Sequence, residues 1–69
     1  MLRVSINGEV HQLADASTLA DAIAVLPGAP EGRGVAAALN GEVIPRRQWA
    51  MTELFEGARV ELVVAVQGG

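Results

Sequence analysis

The sequence contains no cysteine and no lysine, and aromatic residues make up only 3% of it. Without cysteine there is no disulfide framework, no thiolate metal site and no cysteine nucleophile. Without lysine, the chain cannot be linked to copies of itself through lysine side chains. The five basic residues are all arginine, the net charge is −3, and no basic stripe of the kind that nucleic-acid binding requires is present. We therefore expect no nucleic-acid partner, and expect an acidic protein that docks onto a basic one.

Long apolar runs are also absent. No segment approaches the roughly 20 apolar residues that a membrane-spanning helix needs, and the first residues reach the Asn7-Gly8 turn signal too early for a signal peptide. We therefore expect a cytoplasmic protein with no membrane partner. A chain of 69 residues is a single domain that buries only about 60% of the surface of its unfolded form. This size favours a carrier, an adaptor or a binding module over a self-contained enzyme.

Two hairpins are predicted from repeated turn signals. Leu2 to Ile6 alternate in hydrophobicity, and Asn7-Gly8 leads to a return strand over residues 9–13. We expect Ile6 to pair with Val10 through a three-residue, bulged loop, because this register suits the apolar pattern. Asn40-Gly41 repeats the signal between a strand over residues 35–39 and a short edge strand ended by Pro45.

One helix and one long strand complete the pattern. Thr18, with Asp21 three residues later, starts a helix whose apolar face contains Leu19, Ala22, Ile23 and Leu26. Residues 59–66 form the longest and most apolar strand, which should be central. The order β-β-α-β-β-β predicts an α+β protein with one main helix on one face of a five-stranded mixed sheet. If the first and last strands run parallel in the centre, the fold is the β-grasp, or ubiquitin-like, architecture over residues 1–66, followed by a flexible diglycine tail at residues 67–69.

The final segment is the candidate functional site. Gly68 and Gly69 have no side chain to pack, and ordering them costs conformational entropy. They form a thin peptide that could thread the α-carboxylate of Gly69 into a narrow active site, with Gln67 and Gly68 in the threaded part. A frayed end without function is the alternative reading of the glycines alone. No pair of acidic residues has a spacing that demands general acid–base catalysis. His11 has no second metal ligand near it in the sequence.

A docking surface is predicted beside this tail. If the even-numbered residues of the last strand face the helix, the odd-numbered ones face outward. The small apolar patch on that outer face would contain Val63, Ala65, Ala36 and Ala38. Central strands are often apolar on both faces, so a purely structural origin is equally consistent. For Trp49 and Phe55 we expect positions in the core or at its edge.

Several segments together resemble the ThiS family, the sulfur-carrier proteins of thiamine thiazole biosynthesis within the ThiS/MoaD ubiquitin-like group. They are Asn7-Gly8-Glu9, residues 40–46 with Trp49 after them, Leu54 with Glu56-Gly57, and Ala65 to Gly69. The resemblance implies a monomeric carrier, not an enzyme, with no bound cofactor. Gly69 would be adenylated with ATP and Mg by a ThiF-type, E1-like enzyme.

The same resemblance implies the later steps. A sulfur donor, such as a cysteine desulfurase or a rhodanese-type protein, would convert the adenylate at Gly69 to a thiocarboxylate. A ThiG-type thiazole synthase would then take the sulfur. Three alternatives stay open: a MoaD-like carrier for molybdopterin or another sulfur-transfer pathway, a ubiquitin-like modifier joined through Gly69 to other proteins, and a β-grasp interaction module whose diglycine is inert.

Overall fold

The structure, a computed structural model, describes residues 1–25 and 34–64, with the backbone alone at Val64. Five strands, one α-helix and one 3-10 helix occur in these residues. In chain order they are β1 (Leu2–Ile6), β2 (Glu9–Leu13), α1 (Leu19–Ala24), β3 (Val35–Leu39), β4 (Glu42–Ile44), the 3-10 helix Arg46–Met51, and β5 (Arg59–Val64). The predicted order of strands and helix is confirmed, and the segment after Pro45 adds the short 3-10 helix.

The five strands form one mixed sheet in the order β2-β1-β5-β3-β4. β1 and β5 are parallel neighbours in register Ser5 with Arg59 and Ile6 with Val60. The other neighbouring pairs are antiparallel. The last strand is therefore central and parallel to the first, which confirms the predicted β-grasp arrangement. β4 lies at one edge of the sheet, as Pro45 indicated.

Both hairpins close through two-residue turns. Asn7 and Gly8 have φ of 53° and 83°, and Asn40 and Gly41 have 49° and 87°, which are the two successive positive values of a type I′ turn. The expected bulged loop in the first hairpin is wrong, because Ile6 pairs directly with Glu9. Asn-Gly suits the tight turn so well that turn geometry sets the register, and Val10 is left 67% exposed on the outer face.

The helix covers the other face of the sheet. Thr18 caps α1 through a reciprocal capping box: the Asp21 N–H donates to Thr18 Oγ1 at 3.3 Å, and the Thr18 N–H donates to Asp21 Oδ2 at 2.8 Å. Leu19, Ala22 and Ile23 of α1 are buried. They pack in one core with residues from β1, β2, β3, β5 and the segments between them: Val4, Ile6, Leu13, Ala37, Trp49, Leu54, Ala58, Val60 and Leu62. Leu26, predicted on the same helical face, lies outside the described residues.

The segment between β4 and β5 closes the end of the core. Trp49 is 6% exposed, and its indole Nε1 donates to the Ile44 carbonyl oxygen at 2.9 Å, so it covers the core edge as expected. Phe55 is instead 46% exposed. The preceding residue, Leu54, points into the core, and in an extended segment its neighbour then points outward.

Candidate functional site

β5 carries the chain toward the predicted tail and is held on both sides. On the β1 side, the Ser5 N–H donates to the Ala58 oxygen and the Asn7 N–H to the Val60 oxygen, each at 2.9 Å. On the β3 side, the pairing extends from Leu39 with Val60 to Val35 with Val64. β5 is therefore paired on both sides at its start and with β3 alone at Val64, which is five positions before Gly69.

The asparagines of the two turns add side-chain hydrogen bonds to β5. Asn7 Nδ2 donates to the Leu62 oxygen at 3.1 Å, and the Leu62 N–H donates to Asn7 Oδ1 at 2.7 Å. At the start of β5, the Arg59 N–H donates to Asn40 Oδ1 at 2.8 Å, and the Asn40 N–H donates to the Arg59 oxygen at 2.7 Å. Both turns thus do more than reverse the chain, because each also fixes a point on β5.

The outer face of the sheet is apolar beside the C-terminal half of β5. Ala36 pairs with Val63, and Ala38 pairs with Glu61 on one side and with Val43 on the other. Val63 is 65% exposed and Val43 is 72% exposed. We call Ala36, Ala38, Val43 and Val63 the outer apolar patch. Val43 and Val63 lie on either side of β3, next to its small residues Ala38 and Ala36, and a contiguous exposed apolar surface of this kind is typical of one that another protein covers.

The structure brings together three of the predicted docking residues, Val63, Ala36 and Ala38. Ala65, the fourth, lies outside the described residues, as do Gln67, Gly68 and Gly69 of the predicted tail. Val43 was missed by the sequence reasoning. Counting outward from a strict two-residue turn at Asn40-Gly41 places Val43 opposite Ala38, so the signal was present in the turn itself.

Charged groups border the patch. Glu61 and Arg59 of β5 are both exposed, and Glu61 lies in register with Ala38. A partner surface that covers the patch would therefore meet a carboxylate within it. That carboxylate favours a basic group on the partner, because a covered charge must be paired.

A second charged pair lies at the other end of the outer face. The Glu56 carboxylate accepts from the Arg3 N–H at 3.0 Å and from Arg3 Nε at 3.1 Å. The backbone hydrogen bond from Arg3, followed by the one from its side chain, holds the pKa of Glu56 below its ordinary value of 4.5. The Gly57 N–H donates to the Arg3 oxygen at 2.8 Å. These contacts tie the turn before β5 to β1, and we assign them a structural role.

Within residues 1–25 and 34–64, no group of three or more His, Asp or Glu side chains could hold a metal ion. His11 Nε2 lies 3.2 Å from Glu9 Oε1 on the edge strand β2, where His11 is half-buried. No helix in the same residues is long and apolar enough to cross a membrane.

Comparisons with known proteins agree with this geometry. The profile of the ThiS family matches residues 4–69, which is nearly the whole chain and includes the diglycine. The chain belongs to the ThiS family. Membership supports a sulfur carrier of thiamine biosynthesis. No curated protein matches the chain.

Two solved structures share the ThiS fold. One is the crystal structure of a thiamine biosynthesis protein (ThiS) from Geobacter metallireducens, with 26% identity, a TM-score of 0.78, and coverage of 99% of this chain and 100% of that one. The other is an NMR solution structure of a thiamine biosynthesis protein from the same organism, with 26% identity, a TM-score of 0.73, and coverage of 99% and 88%. The sheet and helix described above are thus those of the family.

Proposed function

We propose that this ThiS-family chain carries sulfur as a thiocarboxylate on Gly69 and delivers it to a ThiG-type thiazole synthase. The observation that carries the proposal is the family match, which runs through the last residue, Gly69. It is supported by the position of β5, the central strand that leads toward that residue. A carrier that several enzymes must reach needs a rigid body with a thin end, and glycines provide backbone angles closed to other residues.

The chemistry requires activation of the carboxylate. A Gly69 carboxylate oxygen attacks the α-phosphorus of Mg-bound ATP in a ThiF-type enzyme, and pyrophosphate leaves. The acyl-adenylate now has AMP as a good leaving group. A sulfide or persulfide sulfur then attacks the carbonyl carbon and AMP departs. With a persulfide from a cysteine desulfurase or a rhodanese-type donor, a thiol must next cleave the S–S bond to free the thiocarboxylate. The chain has no cysteine, so its own side chains offer no thiol to compete for the sulfur.

We propose further that the ThiF-type enzyme docks on the outer apolar patch. Val63 lies on β5, the strand that continues toward Gly69, and its side chain is 65% exposed. A partner that binds the patch would therefore contact β5, the strand that leads toward the tail. The exposed Glu61 beside Ala38 and the net charge of −3 suit a partner whose matching surface is apolar with a basic group.

Intact mass spectrometry tests the carrier role. The full chain is incubated with a ThiF-type enzyme, Mg-ATP, a cysteine desulfurase and cysteine, and is then fragmented. We expect one oxygen to be replaced by sulfur, with the change confined to Gly69 and absent without ATP. An unchanged mass under conditions that modify another ThiS protein would refute the proposal.

The products separate the alternatives. Transfer of the sulfur to a thiazole synthase supports the thiamine pathway, and transfer only to a molybdopterin synthase subunit supports the MoaD-like role. Isopeptide-linked adducts through Gly69 would instead indicate a protein modifier. Unchanged function after removal of Gly68 and Gly69 would indicate an interaction module with an inert diglycine.

A further inference from the structure

The last hydrogen bonds between this part of the chain and β5 come from a side chain and not from the backbone of β1. β1 ends at Ile6, and the chain reverses at Asn7-Gly8. In a continuing parallel ladder, another residue of β1 would face Leu62. That residue is absent, because the chain has already turned back into β2. Backbone groups left without partners inside a sheet are costly, so Leu62 needs a substitute.

The Asn7 amide is that substitute. A primary amide carries one carbonyl acceptor and an N–H donor, the same pair that a peptide group presents to a strand. Asn7 uses both on Leu62, with distances of 3.1 Å from Nδ2 to the Leu62 oxygen and 2.7 Å from the Leu62 nitrogen to Oδ1. The positive φ of 53° at Asn7, which asparagine tolerates better than most residues, is part of the turn that places this amide beside β5.

Asn40 is only partly equivalent. It occupies the same position in the second turn, with φ of 49°, but its side-chain oxygen accepts from the Arg59 N–H, at the first residue of β5. The two asparagines therefore fix opposite ends of one strand. Asn7 fixes the end near the tail, where Val63 and Val64 pair only with Ala36 and Val35 of β3 among the described strands.

We propose that Asn7 is a positioning residue for the tail: its side-chain amide completes the hydrogen bonding of β5 at Leu62 and so holds in place the strand that leads toward Gly69. This deepens the proposed function and rests on it for its effect on adenylation. A tail whose root is ordered loses less conformational entropy when it is threaded. Release of Leu62 should therefore slow adenylation without changing the outer apolar patch.

The test compares Asn7→Gly with Asn40→Gly. Glycine keeps the positive φ of each turn and adds the same freedom to the unfolded chain, so the two variants differ mainly in which end of β5 they release. Asn7→Asp keeps the acceptor for the Leu62 N–H but places a second carboxylate oxygen, in place of the donor, against the Leu62 oxygen. Three quantities are measured: amide hydrogen exchange along β5, kcat/KM for pyrophosphate release with a ThiF-type enzyme, and the affinity of that enzyme for each variant lacking residues 67–69.

In Asn7→Gly we expect exchange of the Leu62 amide to accelerate roughly tenfold or more, from the loss of two hydrogen bonds. We expect kcat/KM to fall by a similar factor, and by at least as much in Asn7→Asp, where two oxygens face each other. Asn40→Gly should accelerate exchange at Arg59 and leave kcat/KM within about twofold. The affinity of the shortened forms should stay the same throughout, a result that general destabilisation would not give.

The positioning role is overturned if Asn7→Gly leaves kcat/KM unchanged, or if both glycine variants lower it equally. It is also overturned if the affinity of the shortened Asn7→Gly form falls by the same factor as kcat/KM of the full-length variant, because the loss would then lie in docking. If wild-type protein releases no pyrophosphate with any ThiF-type enzyme, the carrier proposal fails and so does the effect on adenylation. Exchange at Leu62 would then still decide whether Asn7 holds the end of β5.

Discussion

Replacing Val63 with aspartate should separate docking from folding. Val63 lies on the outer face, 65% exposed, and contributes little to the core on the other side of the sheet. Strand preference at such a position spans about 1 kcal/mol, so the free energy of unfolding should fall by no more than that. If the ThiF-type enzyme covers the outer apolar patch, the same change places an unpaired carboxylate in the interface.

The size of the effect follows from the exposed area. Full burial of a valine side chain contributes about 1.5–3 kcal/mol, and the part of Val63 that is still exposed would supply roughly 1–2 kcal/mol of this to an interface. Val63→Asp loses that contribution and adds the desolvation of a charge. At about 1.4 kcal/mol for each factor of ten, the affinity should fall well over tenfold. Val63→Thr keeps the branched shape and replaces one methyl group, which should weaken docking only about fourfold.

The assay is calorimetric binding of the ThiF-type enzyme to forms that lack residues 67–69, so that threading of the tail does not contribute. Val10→Asp is the matched control. Val10 is 67% exposed on the same outer face, where it pairs with Ser5, but it lies on the far edge strand. We expect Val10→Asp to bind like wild type. Equal losses in Val63→Asp and Val10→Asp, or no loss in either, would falsify the assignment of the patch as the docking surface.

Three further predictions concern the tail, the turn before β5 and the core edge. Gly68→Val should leave the melting temperature unchanged and abolish pyrophosphate release, because a Cβ atom blocks threading; normal release by this variant would contradict the steric argument. Glu56→Gln should lower the melting temperature at neutral pH, and the difference from wild type should shrink as the pH falls below about 4.5. The sign follows from the lowered folded-state pKa of Glu56: its contribution is present above the unfolded pKa and is lost as the carboxylate bound to Arg3 is protonated. A difference that grows on acidification would be inconsistent with this. Trp49→Phe removes the donor to the Ile44 oxygen and should destabilise the fold by about 1–3 kcal/mol in chemical denaturation, whereas an unchanged midpoint would show that water replaces the indole.

The sequence was sufficient for the order of elements and the central place of β5, because strand alternation, the capping box at Thr18 and the two Asn-Gly signals are local. It was insufficient for the register of the first hairpin. There the apolar pattern of β2 favoured an inward Val10, while the turn chemistry of Asn7-Gly8 favoured direct pairing of Ile6 with Glu9, and the turn determined the outcome. An edge strand can leave an apolar residue exposed, so its pattern is weak evidence about register.

Long-range partners were beyond the reach of local patterns. Alternation with Val60 and Leu62 points Ala58 inward, but it does not predict that the residue is fully buried, which depends on the hydrogen bonds from Gly57 to Arg3 and from Ser5 to Ala58. The hydrogen bonds between Asn7 and Leu62 could not be predicted from the sequence either, because the two residues are far apart in the chain. The Asn-Gly turn also already accounts for an asparagine at this position. Alternation did place Val63, Ala36 and Ala38 on the same face of the sheet, as their pairing shows, and the docking role of that face stays a prediction.

The central position of β5 also has a consequence for biosynthesis on the ribosome. Ser5, made near the beginning of the chain, pairs with Arg59, which is made after every other described element. Until Arg59 and the residues after it have been synthesised and released from the exit tunnel, β2-β1 and β3-β4 are two separate hairpins with no strand between them. Isolated hairpins are marginal in water, so a prematurely terminated product should stay unfolded and be open to proteolysis. A chain without β5 therefore cannot build the sheet, and the two hairpins join in one fold only when β5 lies between them.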